Sequence, residues 1–81
     1  MINKEKAKKI AKEQPLYWDM LSSIAAEEAK WLRSSSKVEL TENAMNRFKK
    51  LHEGLIRHNI INNISSVSGL LEDLEVITKI S

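Results

Sequence analysis

The chain has 81 residues, 30% of them charged, and a formal net charge of +2. With no cysteine it forms neither disulfides nor thiolate metal sites. A chain this short is one domain, 1–81, whose core alone gives thin stability, so helix packing or self-association must make up the difference.

Strand signals are nearly absent. No Asn-Gly or Asp-Gly turn occurs, and only two glycines and one proline punctuate the chain. The expected fold is all-α: a small bundle of three main helices (about 15–33, 41–58 and 60–80) plus a short basic N-terminal helix (about 4–13). Glu5–Lys9, Glu53–Arg57 and Glu75–Lys79 have the favourable i,i+4 order for such helices.

The first helix starts after Asn3, a good N-cap, and stops before Pro15. Lys4, Lys6, Lys8, Lys9 and Lys12 give it a basic patch; with two glutamates, residues 1–13 carry a net +3. No long apolar run follows, so no signal peptide is read, and nothing approaches the roughly 20 apolar residues that span a bilayer. A soluble, cytoplasmic chain is expected, without membrane insertion. Its target could still be the cytosolic segment of a membrane protein.

Pro15 suits the first turn of the second helix. Leu16, Met20, Ile24 and Trp31 share one side of it, with Tyr17, Leu21 and Leu32 beside them. Trp18, Ala25 and Ala29 widen the apolar arc to about half the circumference, more than the ~100° a surface helix needs. Trp31 is the core tryptophan on this reading. Trp18 sits at the arc's edge above small residues that let another backbone approach, and tryptophan is enriched at binding hot spots. Glu28 projects from the arc and needs a cation or a proton if buried. Tyr17, Trp18, Ala25, Glu28 and Ala29 are therefore the expected partner-binding face.

The third helix is capped by Thr41, with Leu40 and Met45 placed as a hydrophobic staple; Ser36 with Glu39 makes a competing capping box. Its buried stripe is Ala44, Met45, Phe48, Leu51 and Leu55. Continued as a helix, it would bury Asn59, Asn62 and Asn63 and expose Ile60, Ile61 and Ile64. The helix is therefore expected to end or bend near His58–Asn63, where asparagine tolerates the left-handed backbone. Ile60, Ile64, Val67, Leu71 and Leu74 then form a heptad seam for self-association or for the core. Residues 59–81 carry a net −2, opposite in sign to the first helix.

Chemistry is hard to find. His52 and His58 lie about 120° apart on a straight helix and share no HExxH pattern, so no metal site and no cofactor are expected. Serines cluster at helix junctions and read as caps. No glycine-rich turn cradles a phosphate or exposes a nucleophile, and an enzyme is not expected.

Arg57-His58-Asn59-Ile60-Ile61-Asn62-Asn63-Ile64-Ser65-Ser66-Val67-Ser68-Gly69-Leu70-Leu71 resembles the phospho-acceptor box of sensor histidine kinases. There a histidine precedes an Asn-Asn pair and an apolar, Ser/Leu-rich helix. The resemblance covers fifteen of 81 residues and implies a phosphorylated His58 on a dimerising helical hairpin. Ile61 stands where that family has a basic residue.

The leading expectation is a non-enzymatic regulator or adaptor that binds and modulates a protein partner. Short cysteine-free chains of this style resemble bacterial or phage inhibitors, such as anti-host factors and lysis regulators. A homo-oligomer is possible on this composition. The alternatives are the His58 phosphotransfer module and a weak nucleic-acid binder. The latter is disfavoured because the lysines act as point charges without base specificity.

Overall fold

The computed structural model describes residues 2–34, 41–62 and 66–80. Five helices follow in order: α1 (Lys4–Glu13), α2 (Pro15–Ser34), α3 (Glu42–Arg47), α4 (Lys49–Arg57) and α5 (Val67–Lys79). The protein is an all-α bundle with a short N-terminal helix. Its radius of gyration, 11.8 Å, is that of a tightly packed chain of this length, about 12 Å.

Each helix end has a local cause. The Asn3 side chain accepts a hydrogen bond from the Lys6 amide at 3.1 Å, relieving an amide without an intrahelical partner. The Gln14 amide closes α1 on the Ile10 carbonyl at 2.8 Å, and Pro15 opens α2 at once. Thr41 caps α3 through Ala44 and Ser66 caps α5 through Gly69, both at 3.2 Å. The competing Ser36–Glu39 box, the Leu40 half of the staple and Ile64 of the seam lie outside the described residues.

Two expected helices are corrected. The stretch expected as one helix over 41–58 is two, broken at Phe48, whose backbone (φ −118°, ψ 35°) leaves the helical region. The last helix begins at Val67, not near residue 60. The reason lies at the end of α4. Asn59 takes φ 57°, and its amide reaches the Ile56 carbonyl at 3.0 Å while the Ile60 amide reaches the Leu55 carbonyl at 2.8 Å. This is a Schellman closure with asparagine in the left-handed position. It ends the helix one turn before the asparagine pair and turns Ile60 and Ile61 into the core. The Ile60 carbonyl then accepts from the Asn3 amide at 2.7 Å, fastening the entry of α1 to this turn.

Helix α2 is central and packs on α1, α4 and α5. Its buried side carries Trp18, Leu21, Ala25, Glu28, Ala29 and Leu32. Leu51 and Leu55 of α4 and Leu74 and Ile77 of α5 complete the interior, and each is sealed from solvent. Successive rungs show that α4 runs antiparallel to α2: Tyr17 meets His58, Leu21 approaches Gly54, Glu28 bonds His52, and Trp31 meets Phe48. Glycine at 54 matters here, because a Cβ would stand 2.6 Å from the Tyr17 hydroxyl oxygen.

On the flank of α5, burial pushes the Asp73 carboxyl above its ordinary value of 3.8, and the backbone N–H of Ile2 opposes the shift. A carboxylate with a raised folded pKa favours the fold at low pH and loses that contribution as pH rises through the folded pKa. Asp73→Asn is therefore expected to stabilise the protein at pH 7. The gain should be below about 1 kcal/mol for a half-buried group still screened by solvent and should vanish towards pH 3. Urea melts at the two pH values check this; a variant less stable at pH 7 would show that the charge helps the fold.

Candidate functional site

The outer side of α2 carries Leu16 and Met20, with Ile24 and Trp31 at its edge, packed against the core. Leu16 is 84% exposed, Met20 is exposed, and Ile24 and Trp31 are only half-buried. Trp18, expected at the edge of the arc, is the more deeply buried tryptophan, while Trp31, expected in the core, packs on the core's flank. Trp18 is 2% exposed and its indole N–H donates to the Ile80 carbonyl at 3.1 Å. Ala25, Glu28 and Ala29 are buried with it, and Tyr17 is half-buried with its ring edge 5.5 Å from the ring of His58. The docking face expected from these five residues is thus covered by the chain itself. The small residues do admit a close neighbour, but the neighbour belongs to the same chain.

An aromatic pair forms on the other flank, with Phe48 buried at 7% exposure and Trp31 half-buried. The break at Phe48 swings that ring under Trp31, with centroids 5.7 Å apart at 54°. Arg47, on the last turn of α3, lays its guanidinium over both rings, 5.4 Å from the Trp31 centroid and 5.6 Å from that of Phe48. Beside this stack runs an open groove of about 780 Å³. Ile24, Glu27, Lys30 and Trp31 of α2 form one wall; Arg47, Phe48, Lys49 and Lys50 form the other. Four cations face one carboxylate, Glu27, among the described lining residues. Lys49 is partly balanced by Glu53 at 3.6 Å.

Across Lys49 lies a second, smaller groove of about 380 Å³, lined by Met45, His52, Glu53, Ile56 and Arg57. Ile56 is 44% exposed there. Behind it His52 Nε2 lies 2.8 Å from Glu28 Oε1, with both side chains almost wholly buried. With Glu28 a carboxylate, the Nε2–H donates. The other ring nitrogen, Nδ1, is buried without a hydrogen-bond partner among the described residues. The pair answers what Glu28 meets inside an apolar arc: an imidazole of the same chain, 24 residues on.

The remaining expected residues separate. Lys4, Lys6, Lys8, Lys9 and Lys12 are all exposed on α1. Ile60 and Leu74 lie in the core, while Val67 and Leu71 are half-buried against it. His58 closes α4 and packs on Tyr17, so no continuous helix carries it through the asparagine pair. At the far end of α2, Arg33 Nη2 donates to Glu75 Oε1 at 2.6 Å. That hydrogen bond holds the Glu75 carboxyl below its ordinary value.

Among the described residues, no three His, Asp or Glu side chains gather to hold a metal ion, and no helix is long and apolar enough to cross a membrane. The sequence signal for the groove is Arg47-Phe48-Lys49-Lys50, one aromatic among three cations. It is hidden by the expectation that Phe48 continues a single helical stripe. No family model, curated protein or solved structure matches the chain.

Proposed function

We propose that this chain is a non-enzymatic binding module that engages a protein partner through the groove between α2 and the α3–α4 junction and modulates that partner by occupying it. One observation carries the reading. A half-buried Trp31 lines an open groove over the buried ring of Phe48, and the exposed Arg47 stacks on both. Tryptophan and arginine are the residues most enriched where binding energy concentrates. Ile24, half-buried in the same wall, and the exposed Met20 and Leu16 continue the apolar strip along α2.

The test compares Trp31→Ala with a Lys8→Ala/Lys9→Ala control on the opposite helix. Both variants should keep the helical circular dichroism of the parent. Only Trp31→Ala should lose capture of the host partner, by at least about tenfold, the scale of a hot-spot truncation. Equal capture by the two variants would overturn the assignment. Loss confined to the lysine variant would move the interface to α1.

A further inference from the structure

We infer that the occupant of the groove is an acidic polypeptide segment anchored by apolar side chains. This rests on the reading of the groove as a docking surface and adds the chemistry of what docks.

Charge is the first ground. Lys30, Arg47, Lys49 and Lys50 surround the rings against Glu27, in a chain whose total charge is only +2. The lining thus carries +3, before Glu53 offsets Lys49, in a small part of a molecule whose whole charge is +2. Such a local excess draws an oppositely charged partner and raises its on-rate.

The second ground separates an acidic peptide from a nucleic acid, which the same cations would also attract. Single strands bind by stacking bases on open aromatic faces. Here Arg47 lies over both rings, and Trp31 and Phe48 are tilted against each other at 54°. Ile24, Trp31 and Phe48 line the groove beside the cations, an apolar surface that suits aliphatic or aromatic anchors. The stack also holds a guanidinium fork, the group best matched to a carboxylate, with its planar geometry restrained by the rings. A lysine-only rim would attract phosphate equally well; a ring-stacked arginine beside an apolar lining favours carboxylate and anchor together.

A second copy of this chain fits less well. Its acidic side, near Glu5, Glu72 and Asp73, is itself a concave surface with Ile2 and Val76 at its base, and two hollows do not fill each other.

The experiment uses fluorescence anisotropy with the full chain and four labelled probes. These are an acidic peptide with leucine and phenylalanine anchors, the same peptide with Gln and Asn for Glu and Asp, oligoglutamate, and a single-stranded oligonucleotide of matched charge. The anchored acidic peptide should bind at least about tenfold more tightly than each of the others, and its affinity should fall several-fold between about 50 and about 300 mM salt. Trp31→Ala and Arg47→Ala should each weaken it about tenfold or more, and Lys30→Glu/Lys50→Glu should do so with the helical spectrum kept.

Equal binding of the neutral peptide, sensitive to Trp31→Ala, would remove the acidic chemistry and leave the groove as a docking surface. Tightest binding of the oligonucleotide would overturn the inference in favour of nucleic acid. Binding indifferent to both groove variants, or no binding of any probe, would overturn it too. The groove itself would then stand or fall on the Trp31-dependent capture described above.

Discussion

Trp18→Ala is expected to cost about 3–5 kcal/mol, the range for removing a large aromatic side chain from a packed interior. The indole is 2% exposed, so almost all of its area leaves water on folding. Its N–H also donates to the Ile80 carbonyl, tying the start of α2 to the end of α5 across 62 residues of chain. Truncation loses the packing and leaves that carbonyl, at the close of α5, without its donor. A domain of this size has stability of only about 5 kcal/mol or a little more, so the variant should keep only about 0–2 kcal/mol and melt at far lower urea. Trp18→Phe keeps most of the ring contact and drops the hydrogen bond; a smaller loss of about 1–2 kcal/mol is expected. Leu16→Ala, on the opposite side of the same helix and 84% exposed, should stay within about 0.5 kcal/mol of the parent. Urea melts followed by circular dichroism order the three variants. A Trp18→Ala melt close to that of Leu16→Ala would return Trp18 to the surface and invert the orientation of α2.

That orientation is where the sequence misleads, and the reason is physical. The punctuation of the helices is local chemistry and is legible: Asn3, Pro15 and Thr41 act where their side chains and ring geometry require. So is the end of the third helical stretch, because its apolar phase collides with three asparagines. The rotation of α2 is not local. Its apolar arc spans half the circumference, and hydropathy places Leu16, Met20, Ile24 and Trp31 at the centre. What decides is close packing. Ala25 and Ala29 let neighbours come near on one flank, and α1 and α5 take that flank. Leu16 and Met20 are left outside. Glu28 obscures the same choice, since a carboxylate in an arc reads as a rim residue until its partner is known. That partner sits 24 residues away, beyond the reach of any helical periodicity. Ion pairs show the same limit: Glu53 is met by Lys49 and Glu75 by Arg33, not by the cations four residues after them. The groove shares this limit: it lies where the chain breaks at Phe48, between α3 and α4.

The second large effect is expected at the buried pair. Glu28 is 1% and His52 5% exposed, and Nε2 to Oε1 is 2.8 Å. Glu28→Leu alone leaves an imidazole with both nitrogens unpartnered in an apolar surround, since Nδ1 already has no partner among the described residues. His52→Leu alone leaves a buried carboxylate without its donor. Each single change should cost about 3–5 kcal/mol, because the remaining polar group keeps the desolvation penalty and loses the bond that offset it. The double variant Glu28→Leu/His52→Leu removes both penalties and replaces them with apolar contact. It should recover to within about 1 kcal/mol of the parent or exceed it. The coupling, read from a double-mutant cycle of urea melts, should therefore be several kcal/mol; strictly additive single costs would show that the two groups do not act as a pair. Recovery of stability need not restore binding. Glu28 lies one turn before Trp31 on α2, and His52 one turn after Phe48 on α4, its amide bonded to the Phe48 carbonyl at 3.1 Å. A directional bond at that rung fixes how α4 slides along α2, and so how Trp31 meets Phe48; a pair of leucines holds the helices together without fixing the register. The double variant should thus melt like the parent and yet bind the anchored acidic peptide several-fold more weakly. Unchanged binding by that variant would confine the pair to stability alone.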